Sequence, residues 1–152
     1  RRGGGPRLDA RGYGSVIARF IMQALQGQPL TLYVDGKQTR AFTYVADTVR
    51  GTIAAMDSPA AEGQVFNIGN EREITIEELA HLVRDLSQTG VPITYVPFSA
   101  VYGANYEETL RRRPAVERAA ECLGFRAQVA LEDGLPQTIQ WFKEHRDELI
   151  AS

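Results

Sequence analysis

The chain has 152 residues, 43% of them apolar and 24% charged, the composition of an ordinary soluble globular protein about one domain long. A formal net charge of −2 excludes broad attraction to nucleic acid or an anionic membrane, so any anion binding has to be local. The single Cys122 excludes an internal disulfide, the two histidines His81 and His145 lie far from it and indicate no metal site, and no apolar run reaches the roughly 18 residues of a membrane span.

The start, Arg1-Arg2-Gly3-Gly4-Gly5-Pro6-Arg7, is polar and glycine-rich rather than a secretory signal, and a cytoplasmic setting is the default expectation. Val16, Ile17, Phe20, Ile21, Ala24 and Leu25 fall on one helical face, with Gly27 and Pro29 at its end. Leu30, Leu32 and Val34 then alternate with Thr31 and Tyr33, Asp35-Gly36 supplies turn residues, and Phe42 and Tyr44 alternate on a return strand. That pattern predicts a β-hairpin over residues 30–45 whose second strand opens with Arg40, a planar five-donor fork suited to phosphate. The competing reading of Arg40 is a surface arginine bonded to a nearby carbonyl or carboxylate.

Val49, Ile53 and Met56 predict a second helix that stops near Ser58-Pro59. A strand is expected at residues 64–69, centred on Val65-Phe66-Asn67-Ile68, and Thr75 with Glu78 forms a capping box ahead of the helical stripe Ile76, Leu79, Val83 and Leu86. Residues 92–96 read as a strand and residues 97–113 as a long irregular stretch. Pro114 opens a helix through Val116, Ala119, Ala120 and Leu123 that Gly124 closes. Leu135, Ile139 and Phe142 share a face of the last helix, which is expected to begin near Pro136 or to bend there. His81 is expected on the exposed side of its helix, and His145 near the last helix's C-terminus, where its charge suits the dipole.

The stretch from Leu30 to Asp47 resembles a signature of the extended short-chain dehydrogenase/reductases that act on sugar nucleotides, close to L-x-V-Y-G-D-G-x-Q-x-R-x-F-x-Y-V-x-D. It matches at Leu30, Tyr33, Asp35, Gly36, Gln38, Arg40, Phe42, Tyr44, Val45 and Asp47, and departs at Val34, where glycine is usual, and at Ala46, where an acidic residue is common. Gly5-Pro6-Arg7 resembles the end of N-x-Y-G-P-R, with Arg2 in place of the asparagine. Gly14-Ser15-Val16-Ile17 resembles the segment whose backbone approaches the nucleotide, and Val65-Phe66-Asn67-Ile68-Gly69 resembles x-x-N-I-G. Residues 106–114 resemble the R-x-P-D segment, with Arg112 in the arginine position and Ala115 replacing the aspartate. Leu123-Gly124-Phe125 and Leu131-Glu132-Asp133-Gly134-Leu135 resemble packing motifs near the family's C-terminus.

The resemblance implies an α/β fold, the C-terminal half of an NAD(P)-binding Rossmann-like enzyme: a small mixed sheet with helices, lacking the N-terminal cofactor-binding βαβ units. The chain is expected to be one domain, 1–152, with the segment from about 46 to 70 packing on the missing Rossmann half. It further implies that Arg40 and Arg112 clamp the diphosphate of a nucleotide-diphosphate sugar, with Tyr33 beside the base. Backbone around Ser15-Val16 and Thr31-Leu32 would meet the edge of a pyrimidine, and Asn67 would reach the substrate. Plainer readings stand beside these. Arg111-Arg112-Arg113 also reads as a solvated basic run, Tyr33 as strand packing, and Asn67 as a residue bonding backbone at a strand end.

The family binds NAD and takes its catalytic base from parts that this chain is read as lacking, a glycine-rich G-x-x-G-x-x-G turn after a strand and a Tyr-x-x-x-Lys pair. The implied function is substrate recognition for an NAD-dependent epimerase, dehydratase or decarboxylase, nearest to UDP-glucuronate decarboxylases and UDP-glucose 4-epimerases. No catalytic, cofactor-binding or metal-binding residue is expected on the chain itself, NAD being contributed by the absent half. Expected partners are the sugar nucleotide and either the Rossmann half or a second copy of the chain, with no nucleic acid and no membrane. The alternatives are a non-catalytic UDP-sugar-binding module and a structural remnant without nucleotide binding.

Overall fold

A computed structural model describes residues 15–97 and 109–151; the expectations for Gly5-Pro6-Arg7, Gly14 and residues 98–108 lie outside them. In chain order the elements are α1 (Val16–Leu25), β1 (Leu30–Tyr33), β2 (Thr39–Ala41), α2 (Val45–Asp57), a 3₁₀ turn (Pro59–Ala61), β3 (Glu73–Thr75) and α3 (Ile76–Ser87). They continue with β4 (Ile93–Val96), β5 (Arg111–Arg112), α4 (Glu117–Leu123), α5 (Leu131–Glu144) and α6 (Arg146–Ala151). The fold is α/β with small sheets, as expected. It divides into two compact units, one holding α1, β1, α3, β4, most of α5 and α6, the other holding β2, α2, β3, β5, α4 and the first turn of α5.

In the first unit β1 and β4 pair in parallel, Leu30 opposite Ile93 through Tyr33 opposite Val96. Alternation along β1 buries Leu30 and Leu32 on one face, where α1 and α3 pack on the strand and on each other. The apolar stripes of both helices are buried through Phe20, Ile21, Ala24, Leu79 and Val83, each large side chain contributing about 1.5–3 kcal/mol. The α1 helix ends as predicted, with Gly27 in the left-handed region at φ 72°.

The hairpin is not formed: β1 and β2 belong to different sheets. Apolar alternation is the same for a strand that pairs with its neighbour and for one that pairs in parallel 63 residues on, and here the parallel partner wins. The chain between them turns through Val34 at φ 58° and Gly36 at φ 69°, and is tied elsewhere, the Gly36 carbonyl accepting the Glu77 N–H (3.0 Å) at the start of α3. A Cβ on Gly36 would lie 2.5 Å from Leu32 Cδ2, so this signature glycine is required both for its φ and for its close approach.

In the second unit β2 is the centre of a mixed sheet, antiparallel to β3 and parallel to β5. The helix α2 packs against α4 and the 3₁₀ turn. Gly51 of α2 allows this layer to close, since a Cβ there would lie 2.5 Å from Ile68 Cγ2.

Three further expectations are corrected. The strand expected at residues 64–69 joins no ladder among the described residues, because an apolar alternation makes a strand only where a neighbouring edge accepts it. Near the end of residues 97–113, Arg111–Arg112 forms the strand β5 rather than irregular chain. The last helix begins at Leu131, five residues before Pro136, which sits exposed in its second turn and forgoes one backbone hydrogen bond.

Candidate functional site

The mixed sheet decides among the three consecutive arginines. Register pairs Arg40 of β2 directly with Arg112 of β5, and Thr39 with Arg111. Side chains alternate across a sheet, so Arg40 and Arg112 share one face while Thr39, Glu73 and Arg111 share the other. On that other face the Glu73 carboxylate accepts Arg111 Nε (2.9 Å) and Nη2 (2.6 Å) and the Thr39 hydroxyl (2.8 Å). Hydrogen bonds from Arg111 and then Thr39 hold the Glu73 pKa at about 2, and the same carboxylate raises that of Arg111. Arg113 lies 3.8 Å from Glu117, the first residue of α4.

Arg112 is therefore the member of the run that stands beside Arg40. Arg40 is half-buried and donates Nη1 to the Thr39 carbonyl (2.7 Å), which fixes part of its fork, while Arg112 is exposed. Two guanidiniums at paired positions, on strands about 4.8 Å apart, repel one another. An anion of two negative groups relieves that repulsion with charge-assisted bonds to both.

Other signature positions have structural work. Asp47 is only 2% exposed and accepts the Gln128 N–H (2.9 Å), the Val129 N–H (2.8 Å) and the Arg50 guanidinium. Burial disfavours its charge, but the Val129 amide, Arg50 and the Gln128 amide outweigh that and lower its pKa. Tyr44 packs against α5, where a Cβ on Gly134 would meet its ring at 2.8 Å. Asn67 donates Nδ2 to the Ala115 carbonyl (3.1 Å), the backbone-bonding role that its sequence position also allowed.

In the first unit Ser15 is exposed at the start of α1 and Val16 is half-buried beside it. The outer edge of β1 at Thr31 is already occupied. Gln23 accepts the Thr31 N–H (3.2 Å) and donates to its hydroxyl (3.0 Å), and Arg19 Nη2 donates to its carbonyl (3.2 Å). Leu32 is fully buried, and its backbone falls in the alternate set that faces β4, with Leu30 N–H on Pro92 O and Val34 N–H on Val96 O. A base edge meeting Thr31 would share its carbonyl with Arg19 or displace Gln23 from its N–H. Tyr33 remains on the outer set, with the Arg19 guanidinium 4.5 Å from its ring centroid. Arg19 and Gln23 were not singled out from the sequence; their signal was polar spacing of one turn beside an apolar stripe.

The string Tyr33-Val34-Asp35-Gly36-Lys37 does carry a lysine four residues after a tyrosine, contrary to the expectation that no such pair exists. Tyr33 ends a strand and Lys37 follows two left-handed residues, so the spacing does not place hydroxyl and ammonium on one helix face. Among the described residues no group of three His, Cys, Asp or Glu side chains could hold a metal ion, and no helix is long and apolar enough to cross a membrane.

The NAD dependent epimerase/dehydratase family matches residues 4–69. The UDP-N-acetyl-alpha-D-glucosaminuronate decarboxylase of Bacillus cytotoxicus is 47% identical over 140 residues, covering 92% of this chain and 43% of that protein. The solved structure of epimerase Mth375 from Methanothermobacter thermautotrophicus superposes with a TM-score of 0.85 at 29% identity, covering 98% of this chain and 43% of that one. UDP-glucuronic acid 4-epimerase from Bacillus cereus, solved in complex with UDP-glucuronic acid and NAD, gives 0.76 at 30% identity over 93% of this chain and 42% of that one. The chain thus spans about two fifths of the length of these relatives. Signature, fold and relatives agree, and the chain belongs to the NAD-dependent epimerase/dehydratase family of extended short-chain dehydrogenases.

Proposed function

We propose that this chain supplies the sugar-nucleotide recognition part of an NAD-dependent epimerase, dehydratase or decarboxylase, with a UDP-uronic acid as the favoured substrate class. Arg40 and Arg112 take the diphosphate, and Tyr33, with Ser15 and Val16, serves the nucleoside. The single observation that carries this reading is the pairing of Arg40 with Arg112 on one sheet face, the flanking Arg111 and Arg113 being engaged by Glu73 and Glu117. The substrate class is favoured by the similarity to a UDP-N-acetyl-glucosaminuronate decarboxylase and to a 4-epimerase solved with UDP-glucuronic acid. Asn67, bonded to the Ala115 carbonyl, stabilises the loop beside Arg112 rather than selecting the sugar.

The described residues do not fit NAD. None of the parallel strands β1, β4, β2 and β5 runs through a glycine-rich turn into a helix: β1 leads through Val34, Asp35 and Gly36 to β2, β4 to Pro97, β2 through Phe42, Thr43 and Tyr44 to α2, and β5 through Arg113, Pro114, Ala115 and Val116 to α4. No step of the reaction is assigned to this chain, whose part is to bind and orient the substrate. A surface for the cofactor-binding part is at hand. Val45, Val49, Ile53 and Met56 follow one another at helical spacing along α2 and are exposed, Met56 at 79%, and Val65 of the unladdered segment is 80% exposed. In this reading both pack on the remaining part of the enzyme, whose relatives extend well beyond the matched length.

Calorimetric titration of the chain with UDP, UDP-glucose and UDP-glucuronate tests the proposal. Saturable binding of all three, tightest for UDP-glucuronate, is expected; no heat of binding from a folded sample would refute it.

A further inference from the structure

We propose that Glu73 is a positioning residue for the arginine pair, its carboxylate clamping β5 onto β2 from the face opposite so that Arg112 stands beside Arg40. The inference rests on the reading that this pair binds a diphosphate. It starts from the shortness of β5, two residues that join the sheet in parallel at its edge among the described residues. Two paired residues make a short ladder, to which the Thr39 N–H adds a bond to the Leu110 carbonyl (2.8 Å), so side chains matter to how firmly the strand is held. Bringing Arg112 next to Arg40 also sets like charges side by side, which pushes β5 off the sheet.

Glu73 opposes that push. From β3 it reaches past β2 to grip Arg111 of β5 in a two-pronged bond, and on the way accepts the Thr39 hydroxyl, so that one carboxylate touches side chains of both other strands. Because side chains alternate, gripping Arg111 on one face presents Arg112 on the other. A residue that never faces the anion thereby sets where one of its two ligating groups stands. It does so with a negative charge, which by simple Coulomb reasoning weakens anion binding.

That opposition of sign gives the test. The intact chain is titrated with inorganic pyrophosphate at neutral pH and low salt, as the natural sequence and as Glu73→Ala, Glu73→Gln, Arg40→Ala, Arg112→Ala and the double variants. Glu73→Ala is expected to weaken pyrophosphate about tenfold despite removing a negative charge, with Glu73→Gln intermediate. In the Glu73→Ala background Arg112→Ala should add little further loss while Arg40→Ala still weakens binding, a pattern that general loosening of the unit does not produce. If Glu73→Ala does not fold, Glu73→Gln carries the same prediction. Unchanged or tighter binding by the Glu73 variants overturns the inference and leaves the arginine pair standing. Failure of the natural sequence to bind pyrophosphate removes the diphosphate reading itself, and this inference with it.

Discussion

Replacing Asp47 by alanine removes the one carboxylate that joins the start of α2 to the segment before α5. The side chain is 2% exposed and accepts three hydrogen bonds, from the Gln128 and Val129 amides and from Arg50. Bonds to a charged acceptor contribute about 1.5–3 kcal/mol each, and they are not additive here because Arg50, itself 41% exposed, keeps its bond to the Arg126 carbonyl and can turn to water. We therefore expect Asp47→Ala to cost about 3–4 kcal/mol at neutral pH, with Asp47→Asn close behind because an amide cannot accept from all three donors. Because the folded pKa lies below the ordinary 3.8, the contribution is fully present above that value and is lost as pH falls through the folded value. Urea melts of both proteins should thus show a gap that is constant near neutrality and closes in acid. Hydrogen exchange should show the Gln128 and Val129 amides losing protection in the variant at neutral pH. A gap under 1 kcal/mol, a gap independent of pH, or unchanged protection at those amides would refute the reasoning.

Val34 occupies the left-handed region at φ 58°, at the position where the resembled signature has glycine, and is 50% exposed. Val34→Gly should stabilise the first unit by about 0.5–1 kcal/mol, the relief of the left-handed strain exceeding the added chain entropy, and urea melts followed by Trp141 fluorescence can read it. The exposed stripe of α2 should make the isolated chain self-associate, and Val49→Asp with Ile53→Asp should shift it toward monomer in sedimentation velocity; a monodisperse parent chain would count against the assigned surface.

Helical order was legible because long stripes such as Phe20, Ile21 and Ala24 or Leu79 and Val83 have one reading, and these residues are buried as the spacing indicates. Strand pairing was not. Leu30 and Leu32 alternate whichever neighbour they meet, and the partner, β4, lies 63 residues on. The Val65-Phe66-Asn67-Ile68 alternation was read as a strand, but local pattern could not announce that no described edge pairs with it. Arg40 was singled out from the signature as the candidate anion ligand. Arg112 was named by the resemblance too, but the bond of Glu73 to Arg111, 38 residues on, and the burial of Asp47 on amides 81 and 82 residues away were not. Local pattern holds no record of such distant pairings.

The central claim is that Arg112, and not the arginine run as a whole, completes a diphosphate clamp with Arg40. Titration of UDP into Arg40→Ala, Arg112→Ala and Arg113→Ala tests it, because each removes one positive charge from the same sheet or its edge. The account predicts that the first two variants each lose at least about tenfold in affinity while Arg113→Ala binds within about twofold of the natural sequence. Equal losses in all three would mean that diffuse positive charge holds the ligand and would contradict the clamp.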